Sequence, residues 1–145
     1  MRMSTKAQYA VRALVSLNLF SDGTPVSIKD ISARENISFN YLEQLFVKLR
    51  RGGIVNSVRG PGGGYLLARP AADIRMDQII DTVEEAIMPL SCMNSDGSCG
   101  CGSECTTQSV WQGLGNQIRS FLASVTLEEL TNDGRRQQNF RAVNS

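Results

Sequence analysis

The chain has 145 residues, 41% hydrophobic and 20% charged, which suits one ordinary domain or a compact domain carrying an extra interaction helix. No apolar run approaches the roughly 18–20 residues that span a bilayer, and the opening "MRMSTKAQYAVRALVSLNLF" is broken by Gln8, Arg12, Ser16 and Asn18. A membrane span and a signal peptide are therefore not expected, and the cytoplasm is the expected location. The net charge of +1 hides an asymmetry: residues 1–68 hold nine bases against four acids (+5), and residues 69–145 hold six against ten (−4). A basic N-terminal half fits a polyanionic partner, with the acidic half turned away from it.

Ala7, Ala10, Val11, Leu14 and Leu17 fall at helical spacing, and Gly23 stops the pattern, predicting a first helix over about 5–19. "SIKD" at 27–30 has the form of a capping box and opens a short second helix over "IKDISAREN". Ser38 is a second N-cap, followed by "FNYLEQLFVKLRRGG", in which Leu42, Leu45, Phe46 and Leu49 form an i, i+3, i+4, i+7 stripe. Two short helices separated by "NIS" form a helix-turn-helix. The β-prone runs "IVNSV" and "GYLLA" then flank "RGPGG", which reads as a hairpin. A helix-turn-helix followed by a hairpin is a winged helix.

"MDQIIDTVEEAI" adds a helix that buries Ile79, Ile80 and Val83. An amphipathic helix of about 106–125 carries the stripe Val110, Trp111, Leu114, Ile118, Phe121, Leu122 and Val125, and would be about 30 Å long. Gly113 and Gly115 weaken it but would let a second helix cross closely. A two-fold homodimer built on this helix is expected, which also suits the reading of a pseudo-palindrome. Thr126 with Glu129 caps a short final helix, and the polar tail "NDGRRQQNFRAVNS" from Asn132 reads as disordered. The expected fold is thus mainly α with a small β-hairpin wing. Residues 1–88 form the winged helix-turn-helix domain and 89–105 a cysteine-rich loop. Residues 106–131 hold the dimerisation helix with a short terminal helix, and 132–145 form the tail.

With the apolar stripe of the third helix turned inward, Asn40, Gln44, Val47 and Arg51 face outward, flanked by Glu43 and Lys48. Asn40 and Gln44 suit adenine, and Glu43 can accept from the cytosine amino group. Because Glu43 also repels phosphate, it discriminates rather than adds affinity. Tyr41, Lys48, Arg50 and Arg51 suit phosphate contacts, and Arg59 at the hairpin tip suits a minor groove. "GPGGGY" is not a nucleotide loop: it lacks the Lys-Ser/Thr of a P-loop, and β-prone residues follow where a helix should begin.

The run "ISFNYLEQLFVKLRRGGIVNSVRGPGGGYLLA" (37–68), with "STKAQYAVRAL" (4–14) before it, closely resembles the IscR family of winged-helix transcription regulators, and the similarity extends through "TLEEL" (126–130). The resemblance implies a homodimer, a long dimerisation helix, and a loop of three cysteines that ligates an iron–sulfur cluster whose status alters DNA recognition. Such proteins carry a histidine three residues after the last of those cysteines. This chain contains no histidine, and Gln108 stands at that position. In the nitric-oxide-sensing NsrR branch the fourth ligand is an aspartate of the partner's first helix; the corresponding position here is Gln8.

All four cysteines, Cys92, Cys99, Cys101 and Cys105, lie in "SCMNSDGSCGCGSEC". Thiolates are soft ligands for iron–sulfur clusters and zinc, and in the reducing cytoplasm a cysteine cluster points to metal or reactivity rather than a structural disulfide. Gly97, Gly100 and Gly102 let the backbone wrap closely around a bound group, so ligation and local folding are expected to be coupled. The reading adopted is a cluster on Cys92, Cys99 and Cys105 with Cys101 as fourth ligand, Gln108 or an external ligand being the alternatives. A 2Fe–2S form is favoured, and four thiolates also permit 4Fe–4S. A cluster-free thiol redox-switch repressor and zinc are competing readings, and an iron–sulfur electron carrier is a rival of a different class that leaves the winged helix unexplained. An enzyme is not expected: there is no histidine for general-base work, and no Ser or Cys has an evident activating partner.

Overall fold

A computed structural model describes residues 4–83 and 106–144. The cysteine segment, with Cys92, Cys99, Cys101 and Cys105, lies outside the described residues, as do residues 84–87 of the expected fourth helix.

Local signals place the first elements. Helix α1 (Thr5–Phe20) starts where the Ser4 side chain accepts from the Ala7 amide. Helix α2 (Ile28–Glu35) starts at Ser27, whose Oγ accepts from the Asp30 amide at 3.1 Å, and stops at Asn36 in the left-handed region with φ 54°. Helix α3 (Phe39–Arg51) starts at Ser38, whose Oγ accepts from the Tyr41 amide. Each cap satisfies an amide that has no partner inside the helix, and Asn tolerates the left-handed stop better than most residues. Leu42, Leu45, Phe46 and Leu49 are all buried, as their spacing predicts.

Strands β1 (Val55–Val58) and β2 (Gly64–Leu67) pair antiparallel, from Val55 opposite Leu67 to Val58 opposite Gly64. Gly60 and Gly62 take positive φ in the connecting turn, closed by the Gly63 amide donating to the Gly60 carbonyl at 2.9 Å. The wing has a third member that the sequence pattern does not signal. Val26 exchanges backbone hydrogen bonds with Tyr65, at 3.0 and 2.8 Å, so the segment entering α2 lies against β2. The Tyr65 ring packs on Phe46 with centroids 4.8 Å apart, which joins the wing to α3. The resulting core draws on every early element, including Leu14, Leu17, Ile31, Leu42, Phe46, Leu49, Ile54 and Ile79, all at most 1% exposed.

A one-turn 3-10 segment (Ala71–Asp73) leads into α4 (Met76–Val83), which buries Ile79, Ile80 and Val83. Beyond it, α5 (Gln108–Ser124) packs antiparallel on α4. The Arg119 guanidinium lies 3.7 Å from Asp81, and Leu122 and Ile118 share a small apolar cluster with Ile80, Met76 and Ala7. The α5–α6 junction is sewn to the start of α4: the Met76 amide donates to Val125 at 2.9 Å and the Leu127 amide to Ile74 at 2.8 Å.

Helix α6 (Leu127–Asn144) corrects the expectation of a disordered tail over 132–145. Its first turn is capped as predicted, the Glu129 amide donating to Thr126 Oγ1 at 3.2 Å. It then continues because α1 gives it a surface: Leu127 and Thr131 are buried, Asn18 Nδ2 donates to Thr131 Oγ1 at 2.9 Å, and Gly134 sits against Leu19 and Val15. Polar composition alone missed this, because the burial comes from residues more than a hundred positions away.

The backbone approaches closely at Gly64, where an added Cβ would press on the Val26 carbonyl and come within 2.8 Å of the Ser27 nitrogen. Gly64→Ala is therefore expected to destabilise the fold by about 2 kcal/mol, seen as a lower urea midpoint at unchanged slope. An unchanged midpoint would contradict this packing.

Candidate nucleic-acid interface

Helix α3 turns one face into the core and leaves the other open. Asn40, Glu43, Gln44, Val47, Arg50 and Arg51 are exposed, so the predicted outward face is the observed one. Asn40, Glu43 and Gln44 lie in the first half of the helix, the part that meets base edges when a recognition helix enters a major groove. Lys48, Arg50 and Arg51 crowd the last turn, where positive charge also suits the helix dipole. Arg59 is exposed at the far end of the hairpin, next to the turn at Gly60. Asn40, Glu43, Gln44, Val47 and Arg51 thus share one exposed face of α3, and Arg59 stands apart on the wing.

Two candidates have neighbours that sequence reasoning did not supply. Tyr41 is half-buried and meets the Tyr9 ring edge to face at 5.6 Å; the Arg12 guanidinium lies 5.5 Å over that same Tyr9 ring. Arg12 also donates from Nη2 to the Glu35 carbonyl at 2.6 Å, and its Nε lies 3.5 Å from the Glu35 carboxylate. Tyr9 and Arg12 therefore hold the end of α2 and the start of α3 in place. The signal was available as a Tyr and an Arg three residues apart on α1, but only the fold brings them to Tyr41 and Glu35. Lys48 is exposed yet turns toward α4, its Nζ 3.5 Å from the Val83 carbonyl oxygen.

Helix α5 leaves much of its apolar stripe uncovered. Val110, Leu114 and Phe121 are 61, 41 and 66% exposed, while Leu122 on the neighbouring face is buried against α4. Gly115 is buried, and a side chain at Gly113 would meet open space. Beside the α4–α5 contact, an apolar cleft of about 310 Å³ is lined by Ala7, Gln8, Val11, Arg12, Met76 and Ile80.

Among the described residues no three His, Cys, Asp or Glu side chains gather into a metal site. The donor chemistry of the chain is that of four thiols between α4 and α5 with no imidazole anywhere, a set that fits an iron–sulfur cluster. Gln108 opens α5 and is half-buried, at the junction where the cysteine segment ends. No helix of the described residues is long and apolar enough to cross a membrane.

Residues 3–133 match the model of the Rrf2 family, described as iron-dependent transcriptional regulators. The chain is 45% identical over 133 residues to the HTH-type transcriptional regulator IscR of Photorhabdus laumondii, covering 92% of this chain and 80% of that one. Among solved structures, IscR of T. potens superposes with a TM-score of 0.78 at 36% identity, over 95% of this chain and 91% of the other. CymR, the global cysteine regulator of B. subtilis, gives 0.77 at 31% identity over 91% and 97%.

Two kinds of exposed side chain on α3 predict different outcomes. Gln44→Ala is expected to relax base preference at one or two operator positions, at about 1–3 kcal/mol each, whereas Arg51→Ala should weaken binding to all sequences alike and lower the salt slope by about 1. Binding-site selection and salt titration distinguish these outcomes, and equal loss on all sequences for both variants would remove Gln44 from base reading.

Proposed function

Because the chain belongs to the Rrf2 family of iron-dependent transcriptional regulators, we propose that it is a homodimeric, sequence-specific reader of double-stranded DNA operators whose recognition is controlled by an iron–sulfur cluster. The observation that carries this reading is the placement of every thiol between two helices with different tasks. Helix α4 packs on the DNA-reading helix α3, and α5 presents an uncovered apolar stripe. Cys92, Cys99 and Cys105 would hold the cluster, with Cys101 as the fourth thiolate and Gln108 or an external ligand in its place if Cys101 cannot reach. When bound, such a group supplies a metal–sulfide anchor that responds to oxidants and to iron supply. The residues of the chain do the rest. Asn40, Glu43 and Gln44 read base edges, Tyr41, Lys48 and Arg51 bind phosphate, and Arg59 enters the minor groove.

The homodimer has physical support in two uncovered apolar surfaces, the Val110–Leu114–Phe121 stripe and the cleft between α1 and α4. A second copy would bury both and set two α3 helices on one face, matching a pseudo-palindromic operator. Reading DNA operators fits a cytoplasmic location and a binding rather than a catalytic role.

Protein purified without oxygen is expected to absorb in the visible and to contain iron with acid-labile sulfide, and Cys101→Ala should lose or weaken that absorbance. Colourless protein with stoichiometric zinc would overturn the cluster, and colourless, metal-free protein with oxidisable thiols would favour the redox switch. Independently, Leu114→Glu with Phe121→Glu should convert the dimer to a folded monomer by light scattering. A dimer unaffected by both changes would place the interface elsewhere.

A further inference from the structure

The proposed regulation needs a route from the cysteine segment to the reading helix. Val83, the last described residue of α4, stands nine positions before Cys92. Helix α4 touches the last turn of α3 at two points. A Cβ built on Gly52 would lie 2.5 Å from Thr82 Cγ2 and 2.9 Å from its Oγ1, so Thr82 occupies the space that a side chain at 52 would need. Thr82 cannot turn aside freely, because its hydroxyl donates to the Gln78 carbonyl at 2.7 Å. One residue on, Lys48 Nζ approaches the Val83 carbonyl at 3.5 Å. Lys48 and Gly52 are themselves linked, the Gly52 amide donating to the Lys48 carbonyl at 2.9 Å.

We propose that Thr82, seated on Gly52, is a positioning residue that couples the state of the cysteine segment to the recognition helix within a single subunit. This rests on the cluster reading above. The buried Ile79 and Val83 of α4 share a core with Leu49 and Phe46 of α3. A displacement of α4 at Thr82 and Val83 is therefore passed to α3 rather than absorbed, because close-packed contacts transmit strain. Gly52 ends α3 directly after Arg50 and Arg51, so a shift there tilts the helix that carries Asn40, Glu43 and Gln44. The contact adds a route independent of dimer spacing, and it explains why a residue without a side chain stands at this end of α3.

The test compares operator affinity of the full-length dimer, cluster-loaded and stripped by chelator, for wild type, Thr82→Ala, Gly52→Ala and the double variant. Wild type is expected to differ about tenfold between the two states, and Thr82→Ala should cut that ratio to about threefold or less at unchanged iron content and visible spectrum. Gly52→Ala should weaken the loaded protein, and adding Thr82→Ala should restore it, since the methyl it meets is gone. Amide hydrogen exchange at residues 48–54 gives a second readout, slowing on loading in wild type and not in Thr82→Ala. Thr82→Ser keeps the bond to Gln78 and loses only Cγ2, so it should fall between wild type and Thr82→Ala even if the latter folds poorly. A full wild-type ratio retained by Thr82→Ala and Thr82→Ser would overturn the coupling alone. A wild-type protein whose affinity ignores the cluster would overturn the proposed regulation and the coupling with it.

Discussion

The architecture depends on a short backbone exchange: Met76 donating to Val125 and Leu127 to Ile74. These two bonds join the entrance of α4 to the α5–α6 corner, across about fifty residues of sequence. They force α5 to run back antiparallel along α4, and they start α6 on the surface of α1. Every later feature follows from that corner. Among the described residues the α5 stripe is left open because Leu122 and Ile118, and not Val110, Leu114 or Phe121, pack against α4, and the C-terminal segment becomes helical because α1 lies beneath it. Two backbone hydrogen bonds contribute only about 1 kcal/mol each. What they add is direction, since Leu122, Ile118 and Leu127 are then aimed at apolar partners.

Sequence patterning was most informative where the causes are local. Ser27, Ser38 and Thr126 each cap a helix with their own side chains, so a four-residue window contains the whole physical signal. The α3 stripe was legible for the same reason, and with it the outward set Asn40, Glu43, Gln44 and Arg51. Legibility failed where a partner lies far along the chain. Val26 joins the wing as a single bridged residue with no strand pattern of its own. Helix α6 is polar, and its order comes from Asn18, Val15 and Leu19. Residue type suggested phosphate for Tyr41 and Lys48 but could not show that one leans on Tyr9 and the other reaches toward Val83. The cysteines announced their chemistry by type and clustering, while their ligand order depends on a backbone path that spacing does not encode.

The charge pattern gives the proposed dimer a physical reason. Among the candidate contact residues the positive charges are Lys48, Arg50, Arg51 and Arg59, and Glu43 opposes them. A handful of phosphate contacts gives weak, salt-sensitive binding, because affinity scales with the number of counterions released. Joining two such heads makes the second contact intramolecular and multiplies the affinity without any new contact chemistry. In the proposed dimer a modest net charge of +1 would then be an advantage, since non-specific attraction stays low while sequence is selected by the paired heads.

Weakness in α5 is what makes a regulated version of this arrangement physically reasonable. Gly113 and Gly115 cost the helix about 1 kcal/mol each relative to alanine, and both lie in the half of α5 nearer the cysteines. The opposite half is held by Leu122, Ile118 and the Val125–Met76 bond. The C-terminal half is therefore anchored on α4, and the N-terminal half is the one that a neighbour or a group bound just before it would stabilise. A difference of 1–3 kcal/mol in a bound group, the usual size of coupling between sites, is comparable with that deficit. A stronger helix would hold its geometry in every state, and a bound group could then do little to change it.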